Sequence, residues 1–151
     1  MSTTVYIDAD NCPNLVLDYT NRYCINHSIP LILVANHEIK LPGGKFTMII
    51  TSKDKDSADD YIADNTDTND LVITKDILLA SRLVEKQIKV INDRGNTFDK
   101  YNINDRLLER DFDFQLTQLG LGGKKGSSYN EKQLAKFTSC FENAIRHLCN
   151  S

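Results

Sequence analysis

Aspartate residues at distinctive positions are the side chains of this sequence that could do chemistry. Of the 21 acidic residues, 16 are Asp, and eight of these fall between residues 54 and 76. Four acids come at or just after the end of an apolar run, and two more stand three residues apart, as on one face of a helix. The candidates are Asp8, Asp10, Asp76 and Asp93 in the first group, and Asp56 and Asp59 in the second.

Clustered carboxylates repel one another, so a cluster needs either a bound cation or shifted pKa values. Mg²⁺ and Mn²⁺ prefer hard oxygen ligands, and two such ions about 3.5–4 Å apart can stabilise both oxygens of a phosphodiester displacement. Metal-assisted phosphoryl chemistry is therefore the hypothesis that these residues favour. The alternative for any single Asp is capping, because an Asp after a strand is also an ordinary helix N-cap.

The elements that must position these acids alternate between strand and helix over roughly the first ninety residues, a pattern typical of α/β proteins. Apolar, β-branched runs predict strands at 4–8, 31–35, 46–51, 71–74 and 88–91. Helical spacing and caps predict helices at 13–27, 56–64, 76–86, 102–119 and 131–148. We expect a three-layer α/β sandwich with a mostly parallel sheet, in which ligands bind beyond the carboxyl ends of the strands.

Length and charge narrow the class of protein. The 151 residues predict a single domain over 1–151, with the last helix packed on the same core. No apolar run approaches the ~20 residues of a membrane span, and the N-terminus lacks the pattern of a signal peptide, so we expect a cytoplasmic protein without membrane contact. The net charge of −3 disfavours a dedicated nucleic-acid coat protein. The four cysteines form no C-x-x-C pair, and we expect them to be reduced.

Several motifs together resemble the YaiI/YqxD family of small bacterial proteins. The resemblance starts at Ile7-Asp8-Ala9-Asp10-Asn11-Cys12-Pro13 and continues through 34–36, 56–62, 70–76 and 106–111. Its order and spacing cover nearly the whole chain. One departure is the segment 126–129, Gly-Ser-Ser-Tyr, where the family usually has a Gly-Gly-Pro-like stretch.

This family is similar to PIN-like domains, an α/β class of nucleases. The resemblance implies a PIN-like fold and a Mg²⁺- or Mn²⁺-dependent ribonuclease-like site. It implies catalytic acids at Asp8, Asp59, Asp76 and Asp93, with Asp56 as the rival of Asp59. Asp10 and Asp56 would be further metal ligands, Asn11 a supporting polar group, and Thr74 the residue that orients Asp76.

Binding a polyanion would also require cations beside the acids. The candidates are Arg94, Arg106, Arg110, Lys124 and Lys125. With so few cations we expect weak binding of single-stranded RNA and a shallow salt dependence. The alternative for Arg106 and Arg110 is surface pairing with the neighbouring acids Asp105, Glu109 or Asp111.

Two other functions are compatible with the sequence. One is a non-catalytic binding module of PIN-like shape, which the acidic pI of about 5.6 favours over a tight RNA binder. The other is a phosphatase of the haloacid-dehalogenase type, with Asp8 as nucleophile and Asp10 as acid/base. Such enzymes usually have Thr or Val after the acid pair, whereas Asn11-Cys12-Pro13 follows here.

Overall fold

A computed structural model describes residues 2–10, 12–43, 45–54, 56–121 and 129–149. The elements are, in chain order, β1 (Val5–Asp8), α1 (Asn14–Asn26), β2 (Leu31–Ala35), β3 (Thr47–Ile50), α2 (Ser57–Asn65), β4 (Leu71–Ile73), α3 (Ile77–Glu85), β5 (Lys89–Ile91), β6 (Thr97–Phe98), α4 (Ile103–Gln118) and α5 (Glu131–Cys149). The five predicted strands and five predicted helices are all present, and no end differs from the predicted one by more than one residue.

Within the described residues the sheet has six strands in the order β3-β2-β1-β4-β5-β6. The first five are mutually parallel, and β6 is antiparallel to β5. β1 lies in the centre, where Val5 and Ile7 are fully buried. Continuous apolar runs of this kind suit parallel strands that are covered on both faces.

Helices cover both faces of the sheet, which confirms the predicted three-layer sandwich and agrees with a PIN-like arrangement. On one face, α1 and α5 pack against Ile7, Leu33 and Ile73. On the other, α2 and α3 pack against Val72 and Val90, with the start of α4 added to the same cluster. Among the described residues, no helix is both long and apolar enough to cross a membrane.

The strand β6 was not predicted, because two residues are too few to show an alternating pattern. It forms because the chain reverses immediately after β5. The Asn92 side chain accepts hydrogen bonds from the backbone N–H groups of Arg94 and Asn96, both at 2.9 Å, as in an Asx turn. Thr97 and Phe98 then pair with β5.

Gly95 fixes this hairpin against α5. Its φ is +83°, and a Cβ built there would lie 2.5 Å from the backbone oxygen of Lys136. The hairpin and the helix therefore touch backbone to backbone, at a distance that only glycine permits.

Gly95→Ala should destabilise the protein by more than the strain of a positive φ would by itself. The added Cβ would also clash with the backbone of Lys136. We expect a loss of about 2 kcal/mol or more in the free energy of unfolding, measured by urea denaturation. The matched control is Gly120→Ala, where φ is +73° and nothing lies within 4 Å of the added Cβ. Equal losses in both variants would show that the contact with α5 contributes nothing.

Candidate carboxylate site

The candidate site lies where the strand order changes direction. From β1 the chain adds β2 and β3 on one side of the sheet and then returns to place β4 on the other side of β1. In open parallel sheets such a switch point leaves a crevice at the carboxyl ends, where ligands bind. A cavity of about 570 Å³ opens there, lined by four of the predicted acids, Asp8, Asp10, Asp59 and Asp76. We call it the carboxylate cavity.

Thr74 joins the two central strands to these acids. Its buried hydroxyl donates a hydrogen bond to Asp8 Oδ2 at 2.9 Å and accepts one from the backbone N–H of Asp76 at 3.0 Å. The resemblance implied that Thr74 orients Asp76. In the structure the hydroxyl holds the carboxylate of Asp8 directly and Asp76 through its backbone.

Asp76 is also the N-cap of α3. Its Oδ1 accepts hydrogen bonds from the N–H groups of Leu78 at 2.9 Å and Leu79 at 3.3 Å. Both bonds use the same oxygen, which leaves Oδ2 for other partners. Capping and a place in the carboxylate cavity are therefore compatible for this residue.

The acids of the cavity repel one another. The pKa of Asp59 is raised to about 7, first by burial and then by the charge of Asp76, interaction with the Asp76 side chain, and the charges of Asp8 and Asp56. Burial likewise raises the pKa of Asp8 to about 6, against the opposing effect of the Thr74 hydrogen bond. A proton on Asp59 relieves the repulsion, and a divalent cation would do so as well.

The donor set limits what kind of metal site is possible. Among the described residues, no three His, Cys, Asp or Glu side chains are grouped to hold one metal ion. The part of the chain that the structure describes therefore forms no closed three-ligand site. Mg²⁺ usually binds through one or two carboxylates and keeps several waters, and the neighbouring oxygens of Asp59 and Asp76, with Asp8 close by, fit that mode.

Three other predicted acids have different surroundings. Asp10 lines the cavity, but its Oδ1 accepts a hydrogen bond from the backbone N–H of Asn36 at 3.1 Å. Asp56 is exposed at the N-cap position of α2, outside the cavity lining, and makes no side-chain cap. Asp93 is buried beside Lys75, with 3.9 Å between Asp93 Oδ2 and Lys75 Nζ, and does not line the cavity.

The predicted cations are dispersed. Arg110 lines the carboxylate cavity, although its guanidinium lies 3.7 Å from Asp111. Arg106 lies 3.7 Å from Glu109 and is not part of the lining, so the surface pairing given as the alternative is present for both arginines. Arg94 lines a different cavity. Asn11, Lys124 and Lys125 lie outside the described residues.

Sequence reasoning missed two lysines of the site. Lys53 and Lys75 both line the carboxylate cavity. Lys75 could have been found, because it stands between two predicted site residues in Thr74-Lys75-Asp76. Lys53 follows the edge strand β3, and no predicted site residue stands directly beside it in the sequence.

Comparison with known proteins decides the family. A family model described as "Uncharacterized BCR, YaiI/YqxD family" matches residues 6–147. This chain belongs to the YaiI/YqxD family. Neither that description nor the name "UPF0178 protein" of the relatives below states an activity.

Relatives of this YaiI/YqxD protein match over most of their length. A UPF0178 protein of Treponema denticola is 38% identical over 141 residues, which is 93% of this chain and 90% of that protein. One from Marinomonas sp. is 37% identical over 142 residues, covering 93% and 95%. One from Legionella pneumophila is 39% identical over 132 residues, covering 85% and 89%. No solved structure gives a significant match.

The raised pKa of Asp59 predicts how the stability of this YaiI/YqxD protein depends on pH. Its folded-state pKa is about 7 against an ordinary 3.8, so between these values the native state holds a proton that the unfolded state releases. The free energy of unfolding should therefore fall as pH rises through this window. Asp59→Asn should flatten that fall in urea denaturation, whereas Asp64→Asn, exposed on the same helix, should keep the wild-type slope. Parallel curves for wild type and Asp59→Asn would contradict the prediction.

The double role of Asp76 predicts that two substitutions of this residue affect the stability of the fold differently. Asp76→Asn keeps an oxygen that can cap α3 and removes a repelling charge, so stability at neutral pH should be unchanged or slightly higher. Asp76→Ala also removes the charge but loses the cap, and should be less stable than Asp76→Asn by about 1 kcal/mol. Thermal or urea unfolding of the pair measures this. Equal stability of the two would mean that the cap contributes nothing.

Proposed function

We propose that this protein is a metal-dependent phosphodiesterase that cleaves single-stranded RNA, with Asp59 and Asp76 as the ligands of Mg²⁺ or Mn²⁺ and Asp8 beside them in the same cavity. The observation that supports it most is the meeting of these three carboxylates, from the ends of three separate elements, at the switch point of a parallel sheet. Ligands of open α/β sheets bind at this position.

The chain holds these acids on rigid parts of the fold. Asp8 ends the central strand and is held by the Thr74 hydroxyl, and Asp76 is held by two N–H groups of α3. When bound, a divalent ion would supply positive charge beside the phosphoryl oxygens, where negative charge develops during cleavage. Asp59 and Asp76 would share the ion that replaces their proton.

Basic side chains at the rim would contact the phosphate. Lys53, Lys75 and Arg110 line the same cavity as the acids. Asp93 lies 3.9 Å from the Lys75 ammonium, and in this proposal it positions that lysine and is not itself a metal ligand. The cations are few in a chain of net charge −3, so binding of RNA would be weak.

Two alternatives are weighed against this function. A haloacid-dehalogenase-type phosphatase needs Asp10 as a free acid/base beside Asp8, but Asp10 accepts a hydrogen bond from Asn36. The non-catalytic binding module shares the same cavity and differs only in lacking turnover. It is the function that a negative cleavage assay would support.

Cleavage of a labelled single-stranded RNA tests the proposal. We expect slow cleavage with Mn²⁺, a loss of on the order of 100-fold or more in Asp76→Asn, and a smaller loss in Arg94→Ala. Asp76→Asn is informative because it keeps the α3 cap, so lost activity is not lost folding. Mn²⁺ should also raise the melting temperature of wild type more than that of Asp76→Asn.

The control is Asp64→Asn, which removes an exposed charge of α2 away from the cavity and should cleave as wild type does. If no metal supports cleavage, or if Asp76→Asn cleaves as well as wild type, the enzyme proposal is wrong and the binding module replaces it.

A further inference from the structure

A second cavity, of about 820 Å³, lies between α5 and the β5–β6 hairpin. One wall is a single face of α5 that runs from Gln133 through Lys136 and Asn143 to His147. The other wall is the hairpin, with Lys89 at the start of β5 and Arg94 in the turn after it. We call this cavity the basic groove.

The positive charges of the basic groove form no ion pair with any residue that the structure describes. Among the described residues, no carboxylate lies within 4 Å of Lys89, Arg94 or Lys136, and the described lining contains no Asp or Glu. Four arginines elsewhere do have acidic partners, namely Arg22, Arg82, Arg106 and Arg110. Three unpaired cations along one cavity, in a chain of net charge −3, indicate an anionic ligand.

The groove is long. The 14 residue steps from Gln133 to His147 along α5 correspond to about 21 Å. Lys89 and Arg94 stand at opposite ends of β5, so the cations are distributed along the groove. A single phosphate group could reach only one of them, whereas an extended polyanion could contact all three.

The polar lining favours recognition of a backbone over recognition of bases. Amide side chains of Asn96, Gln133 and Asn143 add hydrogen-bond donors beside the cations. Among the described lining residues there is no Phe, Tyr or Trp ring on which a base could stack. Contacts to phosphates position a nucleic acid without reading its sequence.

One end of the basic groove adjoins the carboxylate cavity. Arg94 lines the groove and follows Asp93, whose carboxylate is 3.9 Å from Lys75, and Lys75 lines the carboxylate cavity. A chain bound in the groove could pass over this pair to reach the acids.

We propose that the basic groove binds the phosphodiester backbone of a single-stranded nucleic acid over its length of about 21 Å and directs it toward the carboxylate cavity. The second half of this statement rests on the proposed function, and the first half does not. The substrate would then be a chain, and a small phosphate ester would be a poor ligand of the groove.

Fluorescence anisotropy with labelled ten-nucleotide RNA and DNA strands, in EDTA, measures this binding without metal or cleavage. For three phosphate contacts the slope of log K against log salt should be about −2. Lys89→Gln/Lys136→Gln should weaken binding on the order of 10-fold at low salt and reduce the slope to about −0.7. The matched control, Lys45→Gln/Lys132→Gln, removes the same charge at exposed positions outside the groove, one of them on α5, and should bind as wild type does.

Binding of either strand that depends on Lys89 and Lys136 supports the proposal. It is overturned if neither strand binds, if both double variants bind alike, or if a labelled mononucleotide binds as tightly as the strand. The two proposals fail separately. Groove-dependent binding without Mn²⁺-dependent cleavage would reject only the proposed enzyme activity. Cleavage that is unaffected by Lys89→Gln/Lys136→Gln would reject only the proposal that the groove directs the strand to the carboxylate cavity.

Discussion

The forced proximity of carboxylates at the boundary between β1 and β4 is the constraint on which the site depends. Burial, and then the charges of Asp76 and Asp8, raise the pKa of Asp59 to about 7, because neighbouring carboxylates disfavour each other's ionised form. Either a proton on Asp59 or a bound cation relieves this repulsion. The fold tolerates this repulsion because the strands behind it are fully buried and the Thr74 hydroxyl fixes Asp8 and Asp76 relative to each other.

The charges of the molecule are arranged around one ion pair. On one side of Asp93 and Lys75 lies the carboxylate cavity, in which negative groups outnumber positive ones, and on the other lies the basic groove. Asp93 is buried outside the cavity lining, and its carboxylate lies 3.9 Å from the ammonium of Lys75, which does line the cavity. The Arg94 end of the basic groove is thus the end nearest the carboxyl edge of the sheet, where the acids lie.

The sequence predicts most of the fold because the buried strands are apolar runs and the helices have clear spacing and caps. It also predicts that Asp8, Asp59 and Asp76 meet, since the carboxyl ends of parallel strands share an edge. The position of Asp93 could not be predicted by that rule, because after β5 the chain turns back into β6 and does not enter a helix. The hydrogen-bond partner of Asp10 is the backbone N–H of Asn36. Every residue except proline has such a group, so the residue types in the sequence could not predict this contact.

Cys12 is partly buried against the core, just before α1. A thiol just before a helix can have a lowered pKa, but burial raises the pKa of Cys12 to about 12, which favours the protonated thiol. Basic residues were harder to place, because a long Lys or Arg side chain can reach several partners from one backbone position.

The packing of α5 against α1 has a consequence for the synthesis of the chain. Phe137 and Phe141 are fully buried and meet the ring of Tyr19 edge to face, with centroids 6.2 and 6.1 Å apart. The part of this sheet face that α5 covers therefore stays exposed until residues 131–149 have left the ribosome. Premature termination before α5 would leave that part of the face open to contacts with other chains, which favours aggregation.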